Sequence, residues 1–220
     1  MAQIANRRYS QTKMADIYRE VKKAVVEKGF VAEINWQNEV SFSQITESDF
    51  LREAGWVILS SGMRETIIRR KFLGISTAFF EWESAEKIAR NKDKCLNAAM
   101  QHFRHFKKIS AIIQIAKHVF ENGFDIVCKA IQAQDIQYIM KFPYMGPATS
   151  YHFAKNIGLN VAKPDRHLRR IAEALGYSSP GLMCTDIAKM TGEKIPVIDL
   201  VFWRFATLDR NYLPYFLNSI

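Results

Sequence analysis

The chain has 220 residues, with 31 Lys and Arg against 22 Asp and Glu and a formal net charge of +9. A hydrophobic content of 48% excludes a disordered polyelectrolyte, which needs low hydrophobicity together with high charge, and the length suffices for one domain or two small lobes. The basic excess favours a polyanion such as nucleic acid as partner over an acidic protein.

No apolar run approaches the roughly 20 residues that span a bilayer, and the N-terminus MAQIANRRYSQTK lacks the apolar centre of a secretory signal. The expectation is a cytoplasmic protein without a membrane partner, nucleoid-associated in a bacterium or nuclear in a eukaryote. Cys95, Cys128 and Cys184 are isolated in the sequence, which argues against a zinc or iron–sulfur site and for reduced, buried thiols. No metal site is expected.

In chain order, apolar residues Met14, Ile17, Val21 and Val25 predict an amphipathic helix over 12–28, closed near Gly29. The following FVAEINWQNEVSF alternates apolar and polar residues around Trp36, which predicts short strands near 30–43 or an extended crossing segment. Ser48 is the expected N-cap of a buried helix through FLREAGWVILSSGM, broken at Gly62. Helical patterns follow at 64–72, 84–91, 93–101, 104–121 and 125–132, with Gly74, Ser84 and Gly123 as punctuation. Further helices are predicted at 135–140, 147–157, 166–175, 182–190 and 196–208, so the fold class is mainly all-α, and no internal repeat is present.

The most informative stretch is IQYIMKFPYMGPATSYHFAKNIG, where a short apolar helix meets FPYMG and a second helix begins at Pro147, a favoured first-turn residue. Gly146 lets backbone approach a partner closely, and the N–H groups at the next helix start suit a phosphate oxygen. Taken alone, the same residues read equally well as an ordinary tight turn between packed helices. The next segment, NVAKPDRHLRRIAEALG, places Pro164 and Asp165 ahead of a helix rich in Arg166, Arg169 and Arg170.

Together FPYMGPATS and KPDRHLRR resemble the helix-hairpin-helix glycosylase superfamily (HhH-GPD), whose members read LPGVGxxTA followed by VDxHVxR. The resemblance spans roughly residues 48–208 and is strongest over 139–175. It implies two helical lobes flanking a DNA-binding cleft, a single glycosylase-type unit over 1–220, a hairpin at 135–157, and an N-terminal extension over 1–45.

The resemblance further implies an enzyme that flips a damaged or mispaired base from double-stranded DNA and hydrolyses its glycosidic bond, with Asp165 as the catalytic carboxylate. The strand-nicking members carry a Lys where this chain has Ala148, so a monofunctional glycosylase is implied, nearest to the alkylated-purine branch. DNA contacts fall on Tyr144, Met145, Gly146, Ala148, Thr149, Lys163, Arg166, His167 and Arg169. Trp56 and Trp203 are candidates for the base pocket, and Met63 and Arg64 for the wedge that fills the gap in the duplex. No cofactor is required, although a monovalent cation at the hairpin carbonyls is compatible with the family. A monomer is expected, with downstream abasic-site enzymes as functional partners.

Tyr144, where the family has Gly, and Pro164 depart from the pattern. Each site residue also has a bland alternative. Without the upstream hairpin Asp165 reads as an N-cap, and with it as the catalytic carboxylate; Trp56 and Trp203 individually read more readily as core, Lys141 and Lys163 as phosphate contacts rather than reactive amines, and His167 as a packing residue. Basic clusters at Arg69, Arg70 and Lys71, and at Lys107 and Lys108, are contacts or solvated charges. Glu53 and Asp199 lie on apolar helices, where a carboxylate enters the pocket or pairs with an Arg such as Arg204. The rival reading is a helix-hairpin-helix protein that binds DNA structure without chemistry.

Overall fold

The computed structural model describes residues 11–218. Among them are fourteen α-helices and no strand: α1 Gln11–Glu27, α2 Val31–Glu39, α3 Glu47–Ser60, α4 Glu65–Ala78, α5 Ala85–Arg90, α6 Lys92–His102, α7 Phe106–Asn122, α8 Phe124–Gln134, α9 Ile136–Ile139, α10 Pro147–Asn156, α11 Arg166–Ala174, α12 Pro180–Thr191, α13 Ile195–Leu208 and α14 Leu213–Asn218. No helix among the described residues is long and apolar enough to cross a membrane. The all-α class expected from periodicity is therefore what the chain forms. The N-terminal ten residues of the expected extension lie outside the described part.

The chain divides into two compact units, one made of the chain up to Ser41 together with Gly158 onward, the other of Phe42–Ile157. In the first, Tyr18, Val21 and Val25 of α1 share a core with Leu168 and Ile171 of α11, Val201 and Phe202 of α13, and Phe216 of α14. The segment expected as an extension is thus part of this unit's core from α1 onward. In the second, the buried faces of α3 and α7 pack together. Phe50 of α3 meets Phe124, Phe142 and Phe153 edge-on at ring-centroid distances of 5.6, 6.3 and 4.9 Å, an arrangement aromatic rings favour. Phe142 and Phe153 belong to the two sides of the hairpin, so this one ring seats it on α3.

The expected strands near 30–43 are replaced by α2. Its buried residues are Ile34 and Gln37, one helical step apart, while Val31 and Trp36 are exposed. The apolar alternation was misleading because an amide takes a core position and two large apolar residues face outward. Arg204 of α13 fastens this helix, donating from Nε to Glu33 at 3.0 Å.

Two boundary expectations also change. Thr46, not Ser48, caps α3, accepting the Asp49 N–H at 3.1 Å and bonding the Asp49 carboxylate at 2.6 Å. Gly74 does not punctuate: α4 runs through it to Ala78. A Cβ at Gly74 would lie 2.5 Å from the His102 ring, so glycine serves close packing of α4 on α6 there.

Glu53 of α3 is buried and accepts a hydrogen bond from Asn156 Nδ2 of α10 at 3.0 Å, with Arg52 Nε at 3.6 Å from its other oxygen. Burial pushes its carboxyl above the usual range, against the opposing pull of Asn156 and Arg52. A carboxyl raised on folding contributes stability below its unfolded value, about 4.3, and loses it as pH climbs through the folded value. Glu53→Gln keeps the shape without the charge. Its urea midpoint should therefore gain on the wild type as pH rises from 4.5 to 7.5; a gap independent of pH would contradict the assignment.

Candidate functional site

The hairpin lies in the second unit. The Met145 N–H donates to the Phe142 carbonyl at 3.1 Å, closing a β-turn with Pro143 in its second place and Tyr144, at φ +64°, in its third. Glycine is usual at such a third position, because a side chain there costs about 1–2 kcal/mol. The Tyr144 ring is exposed and lies 6.3 Å from His105, whereas the Met145 side chain is buried, leaving Met145 only its backbone for a partner.

Gly146 is the N-cap of α10 at φ −70°, so its own conformation does not demand glycine, and a Cβ built on it meets nothing within 4 Å. Pro147 has no N–H, and the first intrahelical bond is made by Ser150 to the Gly146 carbonyl at 2.8 Å. The N–H groups of Ala148 and Thr149 therefore have no intrahelical acceptor. This end of α10 is a bare backbone surface with the helix dipole behind it. The carbonyls of Met145 and Gly146 accept the Ser150 hydroxyl at 2.8 and 2.9 Å, and that of Phe142 accepts Met145.

The start of α7 lies against both the hairpin and the turn after α3. His105 caps α7 and meets Tyr144. Lys108 is buried, and its ammonium donates to the carbonyls of Leu59 and Ser61 at 2.8 and 2.5 Å. It closes the C-terminus of α3, so its place in a phosphate-binding cluster is corrected. The turn it supports carries Met63 and Arg64, both exposed.

Asp165 lies in the first unit, as N-cap of α11. Its Oδ1 accepts the N–H groups of His167 and Leu168 at 2.9 and 3.0 Å, and Oδ2 lies 3.8 Å from Lys163 Nζ. The segment ahead of it is tied to α13 twice: Asn160 accepts the Ile195 N–H at 3.0 Å, and Asp199 accepts the Lys163 N–H at 2.6 Å. Asp199 is fully buried, so its carboxylate anchors this segment rather than entering a pocket. His167 bonds Tyr212 through Nδ1 at 3.1 Å and receives Arg166 Nε at 3.3 Å. Burial holds it below its usual pKa, aided by Arg166, Arg170 and Lys163 and opposed by Asp165. Arg166, Arg169 and Arg170 are exposed.

The aromatic pocket candidates are occupied by protein. Trp56 packs edge-on against Phe72 with Arg69 over its ring at 5.6 Å, and the Arg204 guanidinium lies between Trp203 and Phe30 at 4.7 and 4.4 Å. Arg69 also pairs with Glu65, and Lys71 donates to the His102 carbonyl at 2.8 Å. Cys95 and Cys184 are buried, and burial pushes the Cys95 and Cys128 thiols up to about 11. Among the described residues no group of His, Cys, Asp and Glu is arranged to hold a metal ion. The anchors His105, Lys108 and Tyr212 carried no local sequence signal.

No family model matches the chain, and no solved structure matches it.

Substitutions separate the two elements. Gly146→Ala should leave thermal stability unchanged or slightly raised while weakening binding to duplex DNA in a gel shift; equal binding would show that the bare N-terminus of α10 meets no partner. At Asp165, Asn preserves the cap and should keep stability, whereas Ala should cost about 1 kcal/mol in urea denaturation.

Proposed function

We propose that the protein is a monofunctional DNA glycosylase that excises a modified base from duplex DNA by hydrolysis, with an alkylated purine as first candidate and a mispaired base as the wider class. The observation that carries this reading is the state of Asp165. One carboxylate oxygen is fixed by two N–H groups of α11, and the other takes no N–H of that helix. A carboxylate so held keeps one orientation, with the N-terminus of α11 beside it.

Breaking the C1′–N bond leaves positive charge on the sugar. Oδ2 of Asp165 stabilises that charge and accepts the proton of the water whose oxygen bonds to C1′, while the base departs with the bonding electrons. The hairpin supplies the grip. Ala148 and Thr149 N–H groups bind a phosphate oxygen that the missing Cβ of Gly146 allows to come close, a contact that reads backbone and not sequence. Exposed Tyr144, Met63 and Arg64 are available to the duplex, and Arg166 and Arg169 add salt-dependent attraction. Trp56 and Trp203 are left out of this reading, because Arg69 and Arg204 cover their rings.

The test is excision on end-labelled duplexes carrying single alkylated, deaminated, oxidised or mispaired bases, resolved before and after hot alkali. Strand breaks that appear with alkali at one lesion, and that fall by about 10²-fold or more in Asp165→Asn at unchanged DNA affinity, are expected. Wild-type protein that binds every duplex and cuts none would favour the alternative, a DNA-binding module without chemistry. That reading has its own supporting observation: both N–H bonds to Oδ1 are those of an ordinary helix cap.

A further inference from the structure

The start of α7 carries an aromatic and cationic surface with no part in the excision step. Its sequence, FRHFKK over 103–108, interleaves rings with cations. Phe103 is buried and stacks on His105 at a ring-centroid distance of 6.0 Å, and His105 in turn meets Tyr144 of the hairpin edge-on at 6.3 Å. Two rings beside this support stay in solvent, Phe106 at 58% exposure and Tyr144 at 37%. Apolar surface grouped in this way marks contact with a partner.

Charge narrows the partner. Elsewhere on this unit Arg69, Lys87 and Arg90 each pair with a glutamate one turn away. The segments that build this surface, 94–120 and 136–157, contain no Asp or Glu, and Arg104 and Lys107 are exposed within it. A polyanion is the complement of such a surface. The rings narrow the choice again. A base inside a duplex is stacked on both faces and offers a side chain only its edges, whereas an unpaired base presents a face that any aromatic ring can take, with its phosphates drawn to nearby cations. We infer that this surface of the second unit holds single-stranded DNA, with unpaired bases stacked on Tyr144 and Phe106 and the strand's phosphates near Arg104 and Lys107. The choice of DNA rests on the glycosylase reading; the stacking does not. Duplexes that end in, or are interrupted by, a single-stranded stretch are then bound more tightly than fully paired ones.

Fluorescence anisotropy on the full chain tests this. The ligands are a labelled thymidine oligomer, an oligomer of the same length made of abasic tetrahydrofuran units, and a blunt duplex. The two oligomers carry the same charge, so any difference between them reports the bases. Wild type should bind the thymidine oligomer about tenfold or more tighter than its abasic counterpart, the margin of at least one stacked base. Tyr144→Gly removes the ring and relieves the left-handed backbone, so it should unfold no more easily than wild type. It should nevertheless lose most of that margin while binding the blunt duplex as before; Phe106→Ala should lose part of it, and Tyr144→Phe should keep it. Equal wild-type affinity for the two oligomers, or a margin that survives in both ring-deleted variants, overturns the inference and leaves the duplex chemistry standing. Wild type that binds neither strand nor duplex removes the inference and the glycosylase reading together.

Discussion

A single buried carboxyl group fixes the segment on which the proposed chemistry rests. Asp199, inside the apolar helix α13, accepts the backbone N–H of Lys163. A carboxyl group removed from water needs such a donor. The segment entering α11 is therefore held to the core of its unit before Pro164 turns it and Asp165 caps the helix. Asp165, Lys163 and His167 inherit their positions from that anchor. Without it the carboxylate would ride on an exposed loop, and catalysis by fixed charge depends on not having to reorganise at the moment of reaction.

The hairpin is built on the same economy. Phe50 seats both of its sides, and Ser150 takes up the inward carbonyls of Met145 and Gly146. What remains outside is two N–H groups and a glycine that neither φ nor packing explains. Tyr144 adds a cost in the opposite sense, a bulky residue held at positive φ. Strain of this kind generally collects where a chain meets a ligand, the use proposed for this turn. The start of α7 then ties this surface to the turn carrying Met63 and Arg64, through Lys108 and His105.

Much of this was legible in the sequence. Period-3.6 apolar spacing located most helices, Gly146 and Pro147 marked the start of α10, and KPD before an Arg-rich run marked the cap at Asp165. The failures share a cause, namely residues whose burial contradicts their type. Gln37 inside and Trp36 outside turned a helix into an apparent strand. Gly74 read as a break because its role is to admit His102 from another helix. Phe80, Glu81 and Trp82 all adopt positive φ with no Gly or Asn to announce the turn. The pairings that fix these segments within each unit, Asp199 with Lys163 and His167 with Tyr212 in the first and Lys108 with the end of α3 in the second, join residues 36 to 49 positions apart. Helix periodicity carries no information at that range.

In the proposed reaction Asp165 faces positive charge on a sugar. The most direct measurement is the affinity for a duplex containing a cationic pyrrolidine in place of one nucleotide, a mimic of the charged transition state, compared with its uncharged tetrahydrofuran counterpart. The account predicts that wild type prefers the cation by about 10²-fold or more, the margin expected of a transition-state analogue, and that Asp165→Asn abolishes the preference while binding the uncharged duplex as before. Equal affinity of the wild type for both duplexes would contradict it and leave Asp165 as a helix cap.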